Sequence, residues 1–175
     1  MTGLLTGKLV QLRARLEADV AVLHAELYED VAVRSRSDSR PWIPLGVPDS
    51  PFAVRDASPD AAEFSIVEIA SDELAGAAVL WQIDRHNRSA HIGLSLMPRF
   101  QGHGLGTDVV NVLTRYGVRT LGLHRLQIET VADNPAMIAA ATRAGFQQEG
   151  RLRHAGWAEG AFADQIVLGW VAEFE

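Results

Sequence analysis

Three glycines alternate in Gln101-Gly102-His103-Gly104-Leu105-Gly106-Thr107, ahead of a stretch with helical hydrophobic spacing. Glycine lets a backbone come close to a ligand, and the first turn of a helix has N–H groups without intrahelical partners and a partial positive charge. Together these make a seat for a diphosphate, although a tight turn into a helix uses the same glycines for steric reasons alone. The spacing does not fit two common phosphate loops. No lysine follows the last glycine, as a Walker loop requires, and glycines at 102, 104 and 106 depart from G-x-G-x-x-G. A second set of residues is titratable and sits in β-rich runs. His91 can exchange a proton near neutral pH. Glu68 and Glu129 lie in apolar runs, where burial would raise a carboxyl pKa, while solvent or an arginine partner would leave them ordinary surface groups. Asp84, His86 and Asn87 share a polar turn without metal-ligand spacing, so no metal is expected.

The elements that must position these residues follow from the hydrophobic period. Residues 8–13 alternate as a first strand, and Val20, Leu23 and Leu27 predict a helix over 17–28. Five prolines between 35 and 59 predict a long irregular loop, either a binding loop or lid, or a surface excursion pinned by Trp42. Residues 63–70, 74–84 and 89–97 read as an antiparallel meander with the first strand as neighbour. Val109, Val112, Leu113, Tyr116 and Leu121 then give an amphipathic helix of about four turns. Residues 126–132 form a strand, Asn134-Pro135 cap and start a helix that Gly145 ends, and 146–157 and 161–171 are the last two strands. The apolar run 165–170 is either a core strand or a surface that pairs across a two-fold.

Composition limits what these elements can do. The 175 residues suit one domain, 1–175, and a hydrophobic share of 47% supplies a core without staples. The formal charge of −6 disfavours a polynucleotide partner. With no cysteine there is no disulfide framework, no thiolate metal site and no cysteinyl acyl-enzyme. No run approaches the ~18 apolar residues of a membrane span, and the N-terminus lacks a leader pattern, so a cytoplasmic protein without membrane contact is expected.

Gln101-x-x-Gly104-x-Gly106 resembles the Q/R-x-x-G-x-G/A signature of the GNAT acyltransferases. The order of strands and helices also resembles theirs over almost the whole chain. The run Asn134-Pro135-Ala136-Met137 to Ala144-Gly145-Phe146 and Glu149-Gly150 is similar to the N…GF…EG segment of the Rim-type branch, and Leu12-Arg13, Asp19, Trp157, Gly160 and Asp164 fit the same pattern. The resemblance implies an α/β (α+β) GNAT fold, with a mixed, mostly antiparallel sheet of about seven strands, splayed at its centre and flanked by about four helices. It implies acetyl-CoA, or another acyl-CoA, as co-substrate. Its diphosphate would lie on the amides of Gly102, His103, Gly104, Leu105, Gly106 and Thr107, and its pantetheine arm along Leu94 and Leu96, with Asn134 as a side-chain contact. The acceptor would be a primary amine, on a peptide N-terminus or a small molecule, and the protein a monomer or homodimer.

The chain also departs from the family. A tyrosine that often protonates the leaving thiolate is replaced by Ala141, and a serine found in Rim-type relatives by Met137, neither of which donates a proton. His91 stands where Rim-type sequences often have glutamate and is the first candidate for the base, with Glu68 and Glu129 as alternatives. His103 shapes the rim of the phosphate loop. Trp42, Trp81 and Trp157 either line an acceptor pocket or serve as core and lid. Two further readings stand beside acetyl transfer: a transferase of succinyl or other acyl chains, and a non-catalytic acyl-CoA-binding module.

Overall fold

The computed structural model describes residues 3–173. Its strands are β1 (Val10–Arg13), β2 (Ala61–Glu68), β3 (Leu74–Asp84), β4 (Ser89–Leu96), β5 (Arg125–Val131), β6 (Gln147–Ala158) and β7 (Ala161–Val171). They form one sheet in the order β1-β2-β3-β4-β5-β7-β6, antiparallel at every junction except the parallel β4–β5 pair. Four α-helices accompany it among the described residues: α1 (Glu17–Leu23), α2 (Val31–Ser37), α3 (Leu105–Arg119) and α4 (Pro135–Arg143). This is the mixed, mostly antiparallel architecture expected from the sequence. None of the described helices is long and apolar enough to cross a membrane.

The two-residue period of the strands divides the sheet into two faces. Phe64, Ala78 and Leu94 share one rung across β2, β3 and β4, and Phe64 meets Tyr116 of α3 edge-on with ring centroids 5.3 Å apart. On that face Ile66, Leu80 and Ile92 are buried with Val109, Val112 and Leu113 of α3. The opposite face carries α1. Asp19, at the start of that helix, accepts from Leu16 N at 2.9 Å and Ser65 Oγ at 2.7 Å and is bound by both guanidinium nitrogens of Arg13. Burial pushes the Asp19 carboxyl up, but Arg13, the Leu16 amide and Ser65 together outweigh it and hold the group at about 2. The Arg13 and Asp19 of the family pattern are thus one bidentate pair that fastens α1 to the sheet.

Two expectations change. The helix expected over 17–28 is α1 followed by a π-helical turn, His24–Tyr28. The irregular stretch expected from 35 begins later, because α2 runs to Ser37 and a 3-10 turn occupies Val47–Asp49. α2 leaves no apolar period to read: Asp30 caps it through Val33 N at 3.1 Å, and Arg34 is its buried residue. Trp42 does pin the following segment, donating from Nε1 to Tyr28 O at 2.9 Å, while Tyr28 Oη donates to Ile43 O at 2.7 Å. The run 165–170 lies within β7, which is paired on both edges, by β5 and β6, as a core strand is.

Candidate active site

β4 and β5 run side by side for three rungs only: Ser89↔Arg125, Ala90↔Leu126 and His91↔Gln127. Past His91 the strands part and enclose a wedge, the central splay expected from the family resemblance. Met97 N donates to Ala75 O of β3 at 2.9 Å. Alternation along the strand therefore turns the odd-numbered residues of β4 to β3, and the N–H and C=O of Leu94 and Leu96 into the wedge. At its far end Gln101 donates from Nε2 to Leu96 O at 2.9 Å.

The glycine loop leads from there into α3. Gly102 and Gly104 have φ of +78° and +84°, a region that L side chains occupy only under strain. Gly104 is the N-cap of α3 and, lacking a side chain, leaves the first-turn N–H groups uncapped. Residues 101–104 are exposed, while Leu105 is buried and anchors the turn. A Cβ at Gly102 would meet nothing within 4 Å, so the loop stands open to a ligand rather than packed against the protein.

Asn134 caps α4. Its Oδ1 accepts from Met137 N at 3.2 Å and its Nδ2 donates to Thr130 Oγ1 at 3.1 Å, which accounts for the residue structurally whatever else it binds. Ala141 is fully buried and Met137 packs on the core, so neither position holds a proton donor.

On the face away from α3, the closed end of the wedge is lined by side chains. His91 packs on Trp81 of β3 at 4.7 Å between ring centroids. Its Nδ1 is buried without a hydrogen-bond partner and faces Glu129 Oε1 at 3.8 Å, so the 22% of the side chain that is exposed lies away from Nδ1. Burial lowers the His91 pKa below the ordinary imidazole value, Glu129 pulls it back up in part, and Arg125 adds to the lowering. The lowering favours the neutral ring, which can accept a proton. Glu129 takes a hydrogen bond at 2.7 Å from Gln127 Nε2, and Gln127 Oε1 in turn accepts from Arg125 at 3.1 Å. Arg125 pairs through both nitrogens with Glu149 of β6. Of the three candidate bases, the fold brings His91 and Glu129 together. Glu68 ends β2 away from them, its carboxylate taking the hydroxyl of Ser71 in the hairpin turn at 2.7 Å.

The tryptophans separate too. Trp81 belongs to the His91 side, whereas Trp42 and Trp157 line a groove of about 380 Å³ between the 38–42 segment and the β6–β7 turn. Arg36 of α2 spans this region, reaching Asp133 Oδ2 at 3.0 Å and Glu159 Oε2 at 3.2 Å. Sequence reasoning passed over Arg36, Arg125 and Gln127, and named Glu149 only as part of the family motif. For two of them a signal existed: Arg125, Gln127 and Glu129 alternate with Leu126 and Ile128, which puts three polar side chains on one face of a central strand. No group of three metal-ligating side chains occurs among the described residues.

Comparison with known proteins bears on this geometry. The model of the acetyltransferase (GNAT) domain matches residues 10–147. The "Uncharacterized N-acetyltransferase p20" of Bacillus licheniformis is 32% identical over 108 residues, 62% of this chain and 61% of that protein. The alignments span about 60% of the length of the curated relatives that come first. Among solved structures, RimL, a ribosomal L7/L12 alpha-N-protein acetyltransferase in complex with coenzyme A, superposes with a TM-score of 0.82 at 25% identity, covering 94% of each chain. The spermidine N-acetyltransferase of Vibrio cholerae, in complex with CoA and spermine, gives 0.82 at 22% identity over 93% of this chain and 95% of its own, a likeness of fold. With the domain match running from β1 into β6 and the splayed sheet in place, the chain belongs to the GNAT acetyltransferase domain family.

Proposed function

We propose that the protein transfers an acyl group, acetyl in the first instance, from acyl-CoA to a primary amine by direct attack. The observation that carries this reading is the wedge between β4 and β5, which opens beyond His91↔Gln127 and ends at an exposed glycine loop on the N-terminus of α3. An extended pantetheine arm laid along β4 would meet the backbone groups of Leu94 and Leu96 as an added strand would. The diphosphate would then fall on the amides of Gly102 to Thr107. A backbone donor at the thioester oxygen would stabilise the charge that develops there by roughly 3 to 4 kcal/mol.

The rest of the step falls to His91. As the amine nitrogen bonds to the thioester carbon and the C–S bond breaks, the nitrogen must lose a proton, and the neutral imidazole at the closed end of the wedge takes it. With Ala141 buried and Met137 apolar, the sulfur leaves as thiolate, tolerable for a thiol, which is far more acidic than an alcohol. The acceptor is a peptide N-terminus or a small amine, in keeping with the substrates named for RimL and for the spermidine acetyltransferase.

A second reading, acyl-CoA binding without turnover, is favoured by the missing proton donor at Ala141 and Met137. Both readings share the donor site, which amide hydrogen exchange tests. Saturating acetyl-CoA should protect Leu94, Leu96 and the amides of Gly102 to Thr107. Protection confined to other segments would overturn the assignment of the wedge.

A further inference from the structure

We infer that Gln127 is a positioning residue for the base: clamped by Arg125, its amide holds Glu129 against His91, and Glu149 anchors the series from β6. The inference rests on His91 as the proton acceptor of the proposed transfer. Gln127 stands opposite His91 on the last paired rung, at the point where β4 and β5 begin to part. A glutamine amide can face either way, and here its surroundings leave one choice. Arg125 can only donate and takes Gln127 Oε1 at 3.1 Å, so the NH2 end must turn to Glu129, whose Oε1 it reaches at 2.7 Å. Arg125 is itself held by both oxygens of Glu149. That pair bridges β5 to β6, so the orientation of the amide is set from outside the site.

The oxygen that Gln127 holds is the one facing His91 Nδ1 at 3.8 Å. Glu129 is a partly exposed side chain and would otherwise be free to turn to water. The buried Nδ1 has no other partner, so the position of this one carboxylate decides how far the imidazolium is supported once the exposed side of the ring has taken a proton. The charged groups that bear on His91 are Glu129 and Arg125 of β5; its neighbour on β3, Trp81, is uncharged. A residue that fixes Glu129 therefore tunes the base without touching either substrate.

The test is an NMR titration of the His91 imidazole in the intact protein, in the wild type, Gln127→Met, Glu129→Gln and the double variant, read beside steady-state kinetics. Methionine matches glutamine in length and cannot donate. Glu129→Gln should lower the His91 midpoint, and Gln127→Met should lower it in the same direction. The double variant should go no lower than Glu129→Gln alone, since both changes act through one carboxylate. In Gln127→Met, kcat should fall on the order of tenfold with the KM for acetyl-CoA unchanged. A midpoint that stays or rises in Gln127→Met while Glu129→Gln lowers it would overturn the inference, as would a further fall in the double variant. Failure of the underlying reading shows separately, as a pH–rate profile left unaltered by His91→Ala.

Discussion

The two sides of the wedge are built from different materials. On the side proposed for the donor, the Leu94 and Leu96 backbone and the first turn of α3 present main-chain groups, and the side chains matter chiefly by being absent, as at Gly102 and Gly104. On the side proposed for the acceptor, His91, Glu129, Gln127, Arg125 and Glu149 form a connected row of side chains drawn from β4, β5 and β6. A backbone site constrains conformation and leaves most residue types open. A side-chain site constrains identity and leaves the backbone an ordinary sheet.

Four substitutions follow, of which Gly104→Val and His91→Ala test this contrast directly. The largest effect is expected from Gly104→Val, which places a β-branched residue at φ +84° in the uncapped turn. Calorimetry should find acetyl-CoA binding lost while far-UV circular dichroism keeps its shape; unchanged affinity would remove the loop from the donor site. His91→Ala should lower kcat by roughly 10² to 10⁴ with affinity for acyl-CoA retained. In the wild type, the acid limb of kcat/KM should lie below the ordinary imidazole value, because the histidine is lowered by burial and stays a competent base until the pH drops through its folded pKa.

The third change lies outside both sides of the wedge. Asp19 is held at about 2 against an ordinary value of 3.8, so its contribution is full above 3.8 and is lost as pH falls toward 2. By linkage that is about 2 kcal/mol. Asp19→Asn should flatten the fall in unfolding free energy between pH 5 and about 2, seen in denaturant melts. A slope equal to the wild type would contradict the role given to Asp19. The smallest effect is expected from Ala141→Tyr, which restores the residue type the family often uses. The site is fully buried, so overpacking should cost roughly 1 to 3 kcal/mol, and kcat should not rise. A faster enzyme would mean that α4 opens toward the thioester.

The same contrast explains what could be read from sequence. The spans of β3 and β7 follow from β-rich runs bounded by polar turns, and the signature loop from its glycines, because each is a local pattern. α2 escaped because its buried residue is an arginine, Arg34, which sits over the Tyr28 ring at 5.3 Å and gives no hydrophobic period. The row Glu149–Arg125–Gln127–Glu129–His91 escaped for another reason. It joins residues up to 58 positions apart in the sequence (149 − 91), through the order β4-β5-β7-β6 and the close approach of Glu149 to Gly169. Alternation puts Arg125, Gln127 and Glu129 on one face of β5, but sequence spacing does not say that His91 and Glu149 stand beside them until the strands are ordered. Glu68 shows the converse, since its type and its strand fitted a base but the register put its carboxylate in a hairpin turn.

The central claim is that the wedge serves transfer and not binding alone. It is tested most directly by following thiol release from acetyl-CoA with a panel of amines, including peptide N-termini and polyamines, and mass analysis of the amine. The account predicts amine-dependent thiol release with one acetyl group gained per thiol, abolished by Gly104→Val and slowed by His91→Ala. Tight acetyl-CoA binding with no thiol released on any amine would contradict it.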